Sequence, residues 1–365
     1  MDNALFSPLT LGKIQLGHRV VMAPLTRMRA DPAGDVPNAL MLDYYTQRAS
    51  EGGLIVGEAT VVSPAGRGYL GAPGLYTDEQ AQGWRPIVDA VHARGARIVA
   101  QLWHVGRTAH ASLIGGEAPV TASAVPYDGV AFTRDGWVPI TPARALAADE
   151  LPAIVASYAA AARRALDAGF DGVELHAANG YLIDQFLQDG SNHRTDAYGG
   201  PIENRARLLL EVVDALRGVW GAGRVAVRLS PSSRFNGMSD RDPAADFDFV
   251  AGALSGRELA YLHVVEPRVI GSEEAGEGLR AVAARSLRTR FGGPVIAAGG
   301  FHGDEAHAEI AAGHADAVAF GRFFIANPDL PARLRAGLPL NPYDRSTFYG
   351  GDARGYTDYP AAQAA

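Results

Sequence analysis

The chain has 365 residues, a net charge of −7, 47% hydrophobic and 20% charged residues, and no cysteine. This is the composition of a globular protein with ample apolar surface for a core, and it gives no support to nucleic-acid binding, which needs a basic face against phosphates. The missing cysteine excludes disulfides, thiol nucleophiles and thiolate metal sites; no apolar run approaches a bilayer span and the N-terminus lacks a basic stretch before an apolar one, so a cytoplasmic protein without membrane partners is expected.

The run Leu9-Thr10-Leu11-Gly12-Lys13-Ile14-Gln15-Leu16 alternates apolar and polar residues around a glycine and reads as a short hairpin capping the main fold. Eight apolar runs then read as strands: residues 19–26, where Pro24 cannot donate to a sheet ladder, then 54–58, 97–102, 172–176, 225–230, 259–265, 295–297 and 317–320. Between them lie helical periodicities. Leu151, Ile154, Val155, Tyr158, Ala162, Ala165 and Leu166 follow the i, i+3, i+4, i+7 rule, as do Leu208, Leu209, Val212, Val213 and Leu216. Thr77 and Gln80 have the form of a capping box opening a helix through Val91, Gly95 and Gly169 stand where helix C-terminal caps belong, and shorter helices are expected over 279–290, 304–312 and 328–336.

Strands alternating with helices imply a parallel sheet, and eight such units imply an α/β fold closed into a single (β/α)8 TIM barrel rather than an open doubly wound sheet. It would carry the N-terminal hairpin cap and a long loop insertion after strand three, residues 103–148, which is too long for an ordinary βα loop. No linker divides it, so residues 1–365 are expected to form one domain.

In a barrel the chemistry sits at the C-terminal ends of the strands, and here those ends are polar. Strand four runs into His176-Ala177-Ala178-Asn179-Gly180-Tyr181, with Glu174 and His176 on one strand face. An imidazole, a carboxamide and a phenol around small residues suit a polarised oxygen, although a His-x-x-Asn pair also serves as a structural hydrogen-bonding unit. Thr26, Gln101 and Arg228 occupy other strand ends; Thr26 and Gln101 could satisfy backbone groups, and Arg228 could pair with Glu174. Gly299-Gly300 and Gly321-Arg322 follow strands seven and eight, where glycine amides and an arginine commonly build a phosphate site. A phosphate-bearing cofactor across the mouth would bring a flat polar ring to Gln101, Thr26 and Arg228, the arginine stabilising a ring that becomes anionic on reduction. Flavin mononucleotide (FMN) fits these demands.

With these motifs the chain resembles the old yellow enzyme family of flavin-dependent ene-reductases, its bacterial members above all. The likeness runs through Ala23-Pro24-Leu25-Thr26-Arg27, Gly71-Ala72-Pro73-Gly74-Leu75-Tyr76, Gln101-Leu102-Trp103-His104, His176 to Leu182, Ser191-Asn192-His193-Arg194-Thr195-Asp196, Ala317 to Arg322, Phe348-Tyr349-Gly350-Gly351 and Gly355 to Pro360. The resemblance implies non-covalent FMN, with Pro24, Thr26, Ala59, Gln101 and Arg228 at its ring and Ala298, Gly299, Gly300, Gly321 and Arg322 toward its phosphate. It implies that His176 and Asn179 bind the activating oxygen of the substrate, that Tyr181 donates the proton, and that Thr26, Tyr69, Trp103 and Tyr349 line the substrate pocket. NADPH or NADH would be the reductant of this NADPH dehydrogenase or ene-reductase. The acceptors would be electrophilic alkenes, namely α,β-unsaturated carbonyls, maleimides and nitro compounds, with no metal and a monomer or weak homo-oligomer. Residues 232–236 and 266–277 depart from the family's pattern.

Two rival readings remain at this level. A metal-dependent hydrolase on the same barrel would use Glu174, His176 and His104 or His193 as ligands. A non-enzymatic binder of a phosphorylated ligand would leave the phenol beside His176 and Asn179 without a task.

Overall fold

The computed structural model describes residues 4–271, 273, 274 and 282–362. Eight parallel strands close in sequence order into a barrel: β1 (Val20–Met22), β2 (Leu54–Val61), β3 (Arg97–Trp103), β4 (Gly172–Ala177), β5 (Val225–Leu229), β6 (Leu262–Val265), β7 (Val295–Ala298) and β8 (Ala317–Phe320). Their apolar runs are continuous because both faces are covered, and every residue of β4 and β5 is buried. β2 extends past the expected end because a register shift between Val56 and Ala59 lets pairing with β3 resume at Ala59 and Gln101.

The outer layer consists of α1 (Ala39–Arg48), α2 (Asp78–Ala93), α3 (Leu151–Asp167), α4 (Arg207–Trp220), α5 (Pro243–Leu254), α6 (Ala284–Phe291), α7 (Gly303–Ala311) and α8 (Leu330–Ala336). The capping box of α2 is formed: Thr77 Oγ1 accepts from Gln80 N at 3.2 Å, and Gln80 Oε1 accepts from Thr77 N at 3.0 Å. Gly95 and Gly169 follow α2 and α3 in the left-handed region, at φ +75° and +95°. The helix expected over 279–290 is α6; residues 279–281 lie outside the described residues. α1 and α5 escaped the periodicity analysis, although each starts at a side-chain cap, Asn38 Oδ1 accepting from Met41 N and Asp242 Oδ1 from Ala245 N. No helix among the described residues is long and apolar enough to cross a membrane.

The N-terminal hairpin, Leu9–Leu11 paired with Ile14–Leu16, closes the bottom of the barrel. Leu11, Ile14 and Leu16 pack there against Val21, Leu54, Val56, Val99 and Ile296. Residues 103–148 cover part of the opposite end. They include a hairpin, Val130–Thr133 with Gly136–Pro139, whose tight turn Arg134-Asp135 leads into Gly136 at φ +86°.

Three buried arginines tie the C-terminal segment to the barrel. Arg27 donates to the carbonyls of Phe348 and Gly355, Arg29 to those of Thr347 and Asp352, and Arg48 to those of Phe324, Ile325 and Tyr356. The rings of Tyr44 and Tyr356 stack 4.0 Å apart and nearly parallel; Arg48 caps one face of the pair at 3.8 Å and Arg29 the other at 4.5 Å. Burial lowers the pKa of Arg48 to about 10, so it remains cationic at neutral pH. Arg48→Met would strip a charged donor from these buried carbonyls. A loss of about 3 kcal/mol is expected, read as a lower urea midpoint, and an unchanged midpoint would contradict a stabilising role for the clamp.

Candidate active site

A cavity of about 740 Å³ opens at the C-terminal end of the barrel. Its floor follows from strand register. Glu174 on β4 lies opposite Gln101 on β3, His176 lies opposite Arg228 on β5, and Arg228 lies opposite His263 on β6. These polar side chains meet inside a dry barrel and have to satisfy one another. Gln101 Nε2 donates to Glu174 Oε1 at 2.8 Å, and His263 Nδ1 donates to Glu174 Oε2 at 3.0 Å. Burial opposes ionisation of Glu174, yet the hydrogen bonds from His263 and Gln101 and the Arg228 charge outweigh it and hold the carboxyl below its usual range. Arg228 makes no direct ion pair with Glu174 among the described residues; Gln101 and His263 take the carboxylate, and Arg228 and Gln101 line the cavity.

His176 is neutral. Burial, the Arg228 charge and His263 push its pKa well below the ordinary value. Its Nδ1 accepts from Ala178 N at 3.4 Å, which places the ring proton on Nε2 and makes that atom a donor. Beyond it the chain turns through two left-handed residues, Asn179 at φ +58° and Gly180 at φ +73°. A side chain at Gly180 would come within 2.7 Å of Asn236 Cβ and Phe235 O. The turn is held from outside: Asn179 N donates to Ser230 Oγ at 2.7 Å, Gly180 N to Asp184 Oδ2 at 2.8 Å, and Asn236 Nδ2 to Asn179 O at 2.9 Å. Tyr181 follows, its ring edge-on to His176 at 5.0 Å and to Trp103 at 4.9 Å, and its hydroxyl 3.4 Å from that of Tyr69. Burial pushes both phenols up, so both stay protonated.

At another part of the mouth, Gly299, Gly300, Gly321 and Arg322 lie together. Gly300 has φ +68°, and a side chain there would sit 3.0 Å from Arg322 Nη2. Arg322 Nη2 donates to the exposed Glu274 at 2.9 Å. The Nε atoms of Arg322 and Arg228 are buried with no hydrogen-bond partner among the described residues.

Pro24, Thr26, Tyr69, Gln101, His176, Asn179, Tyr181, Arg228, Ala298, Gly299, Gly300, Gly321, Arg322 and Tyr349 all line this one cavity. Ala59 and Trp103 do not. Trp103 is fully buried behind Tyr69, whose ring stacks over it at 5.6 Å, and Ala59 packs with Trp103 and Tyr181 in the same cluster. Sequence reasoning missed Asp128 and Trp137 from the 103–148 region, Arg234 and Phe235 after β5, and Phe348. The Asp135-Gly136 pair is a hairpin signal that the sequence reading did not use to find Trp137; nothing in the pattern signalled Arg234. The alternative metal ligands do not converge. His104 Nδ1 accepts from Gly106 N, His193 is exposed, and no group of three or more His, Cys, Asp or Glu among the described residues could hold a metal ion.

Residues 4–341 match the model of the NADH:flavin oxidoreductase / NADH oxidase family. The chain belongs to the old yellow enzyme family. It is 45% identical to a flavin oxidoreductase of Emericella nidulans, over 98% of each chain. It is 46% identical to 12-oxophytodienoate reductase 1 of Oryza sativa subsp. japonica, covering 98% of this chain and 92% of the other. Among solved structures, morphinone reductase in complex with tetrahydroNAD superposes with a TM-score of 0.91 at 49% identity, over 98% of each chain. The protein is therefore an oxidoreductase of the old yellow enzyme type, with FMN as its cofactor.

The cavity fits that cofactor on its own chemistry. Two buried arginine N–H groups without partners stand at the ends of β5 and just past β8, three strands apart around the barrel. One end suits an electron-rich ring edge, and the other, beside Gly300, whose missing side chain leaves the arginine accessible, suits a phosphate. Glu274, exposed and single, is a partner that a phosphate can displace.

Asp184 supports the Asn179 turn from full burial, and burial raises its carboxyl to about 7 despite bonds from Gly180, Gln188 and Ser230. In the unfolded chain the same group titrates near ~3.9. Between these values the folded state binds the extra proton, so Asp184 makes stability fall as pH rises through that window. Asp184→Asn removes this dependence. Urea unfolding across pH 4–8 should show a shallower decline for the variant than for wild type, whereas parallel curves would mean that Asp184 is ionised throughout.

Proposed function

We propose that the protein uses FMN to pass hydride from NADPH or NADH to the activated C=C bond of α,β-unsaturated carbonyls, maleimides and nitro compounds. The observation that carries this reading is the neutral His176 Nε2–H beside the Asn179 turn and the Tyr181 phenol, on the same cavity as Arg228 and Gln101. Held by these residues, FMN would supply the redox chemistry, carrying a hydride from the nicotinamide to the activated alkene. Tetrahydro-NAD in the morphinone reductase complex supports a nicotinamide as the reductant. Reductant and acceptor occupy the same cavity in turn, in a ping-pong cycle.

The chain's own residues bind, polarise and protonate. Arg228, Gln101, Thr26 and Pro24 hold the ring, with Ala59 behind them, and Ala298, Gly299, Gly300, Gly321 and Arg322 hold the ribityl phosphate. Tyr69 and Tyr349 form the substrate walls, with Trp103 backing Tyr69. His176 and Asn179 donate two hydrogen bonds to the activating oxygen. These strengthen as negative charge develops there, so they act mainly on the transition state. A neutral imidazole keeps its single cavity-side proton for that bond, which leaves the protonation of the α-carbon to another group. Tyr181 is adjacent, protonated and edge-on to His176. Its raised pKa makes it a weak acid, suited to a strongly basic carbon, and the Tyr69 hydroxyl can donate to the phenolate left behind.

Two measurements test this reading. The purified protein should be yellow and release FMN on denaturation; a colourless protein that FMN cannot reconstitute would end it. Tyr181→Phe should slow enone reduction by ~10²–10⁴-fold where general acid catalysis limits turnover, while flavin reduction by NADPH stays largely intact. In stopped-flow, the opposite pattern, with flavin reduction slowed and enone reduction spared, would remove Tyr181 from the role of proton donor. Nitroalkenes should be affected less, because a nitronate product needs no immediate protonation at carbon.

A further inference from the structure

Glu174 has no direct part in the chemistry just described, yet it is a fully buried carboxylate directly beneath the site. Both of its oxygens are engaged by buried groups, Gln101 Nε2 at 2.8 Å and His263 Nδ1 at 3.0 Å. The first bond has a geometric consequence. A primary amide has one donor end and one acceptor end, so committing the Gln101 NH2 to Glu174 turns the amide oxygen away from it, and Gln101 lines the cavity. Without Glu174 nothing in this contact would choose between the two amide orientations.

The second consequence is electrostatic. Arg228 is a buried cation on the cavity wall with no direct ion pair among the described residues, and Glu174 is the foremost opposite charge acting on it. A buried guanidinium is stable only with such compensation. The compensation, however, also reduces the positive potential that Arg228 projects into the cavity, since at low effective dielectric the fields of both charges reach it. His263 bonds the far oxygen of Glu174, and burial with the Arg228 charge lowers its pKa, which disfavours a second positive charge beside the carboxylate.

We propose that Glu174 is a positioning and tuning residue: it fixes the Gln101 amide with its oxygen toward the flavin, and it offsets the Arg228 charge so that the flavin is harder to reduce than Arg228 alone would make it. This rests on the FMN reading above. It assigns opposite signs to two neighbouring buried charges.

The test is the reduction potential of the FMN-loaded protein, measured by spectrophotometric equilibration with a reference dye, alongside the FMN dissociation constant. Glu174→Gln removes the charge at nearly constant shape. It should favour the reduced form about tenfold, a rise of about 30 mV for a two-electron couple. It should also weaken FMN binding severalfold as the Gln101 amide loses its fixed orientation. Arg228→Met should move the potential the other way. If Glu174→Gln alone fails to hold FMN, the Glu174→Gln/Arg228→Met pair decides: its potential should lie between wild type and Arg228→Met, whereas a value equal to that of Arg228→Met overturns the inference. An unchanged or lower potential in FMN-saturated Glu174→Gln overturns it as well. A wild-type protein that binds no FMN sinks the flavin reading itself, while a flavoprotein whose potential ignores Glu174 sinks only this inference.

Discussion

The site depends on parallel register across β3 to β6. In a closed barrel, inward residues at one level come from neighbouring strands and have no water to solvate them. Here Gln101 and Glu174 pair at one level, and His176, Arg228 and His263 pair at the next inward level above it. A one-residue slip of β4 would turn Glu174 and His176 out of the barrel and bring apolar neighbours in, leaving Gln101 and Arg228 without their partner. The network therefore specifies the register at the same time as the register builds the network. This explains how a strand can carry an acid and a histidine through its centre and still be buried at every position.

Much of this was legible in the sequence, and the reasons differ by element. Continuous apolar runs marked all eight strands because a barrel strand is covered on both faces. The polar strand ends stood out against them. The sequence could not show which polar groups pair, because that depends on side-chain reach across strands. Arg228 and Glu174 looked like natural partners by charge, yet Gln101 and His263 take the carboxylate at hydrogen-bond distance. Trp103 offered an aromatic surface at a strand end, but Tyr69 from the loop after β2 covers it. Asp184 and Ser230 gave no local sign of supporting the Asn179 turn, since Ser230 lies 51 residues from Asn179 and meets it only in space.

The C-terminal segment was recognisable as part of the family resemblance, but the means of its attachment was not. None of its described residues joins a strand of the barrel. Arginines from the loop after β1 and from α1 satisfy its carbonyls, and a tyrosine pair between two guanidinium groups packs it. Gly350 N also donates to Arg27 O at 3.0 Å, next to Tyr349 on one side and Thr26 on the other. One clamp thus sets both Tyr349 and Thr26, two residues of the cavity lining.

The cavity divides by origin into two parts with different freedom to vary. Gln101, His176 and Arg228 lie on strands whose neighbours on both sides fix them to within the tolerance of the barrel. Groups proposed to hold a ring and polarise an oxygen gain most from such rigidity, because their contribution depends on being in place before charge develops. Trp137, Arg234, Phe235 and Tyr349 stand on loops. Trp137 and Tyr349 are 47% and 42% exposed, and their rings touch edge to face across the opening at 5.7 Å. Such a rim can be reshaped without disturbing any hydrogen bond of the floor, so under the proposed function changes that alter which acceptor enters need not alter how it is reduced. The stretches 232–236 and 266–277 stand outside the family resemblance read from the sequence, and the first contributes Arg234 and Phe235 to this rim. The proposed function accordingly places selectivity in loops laid over a floor that the strands hold constant.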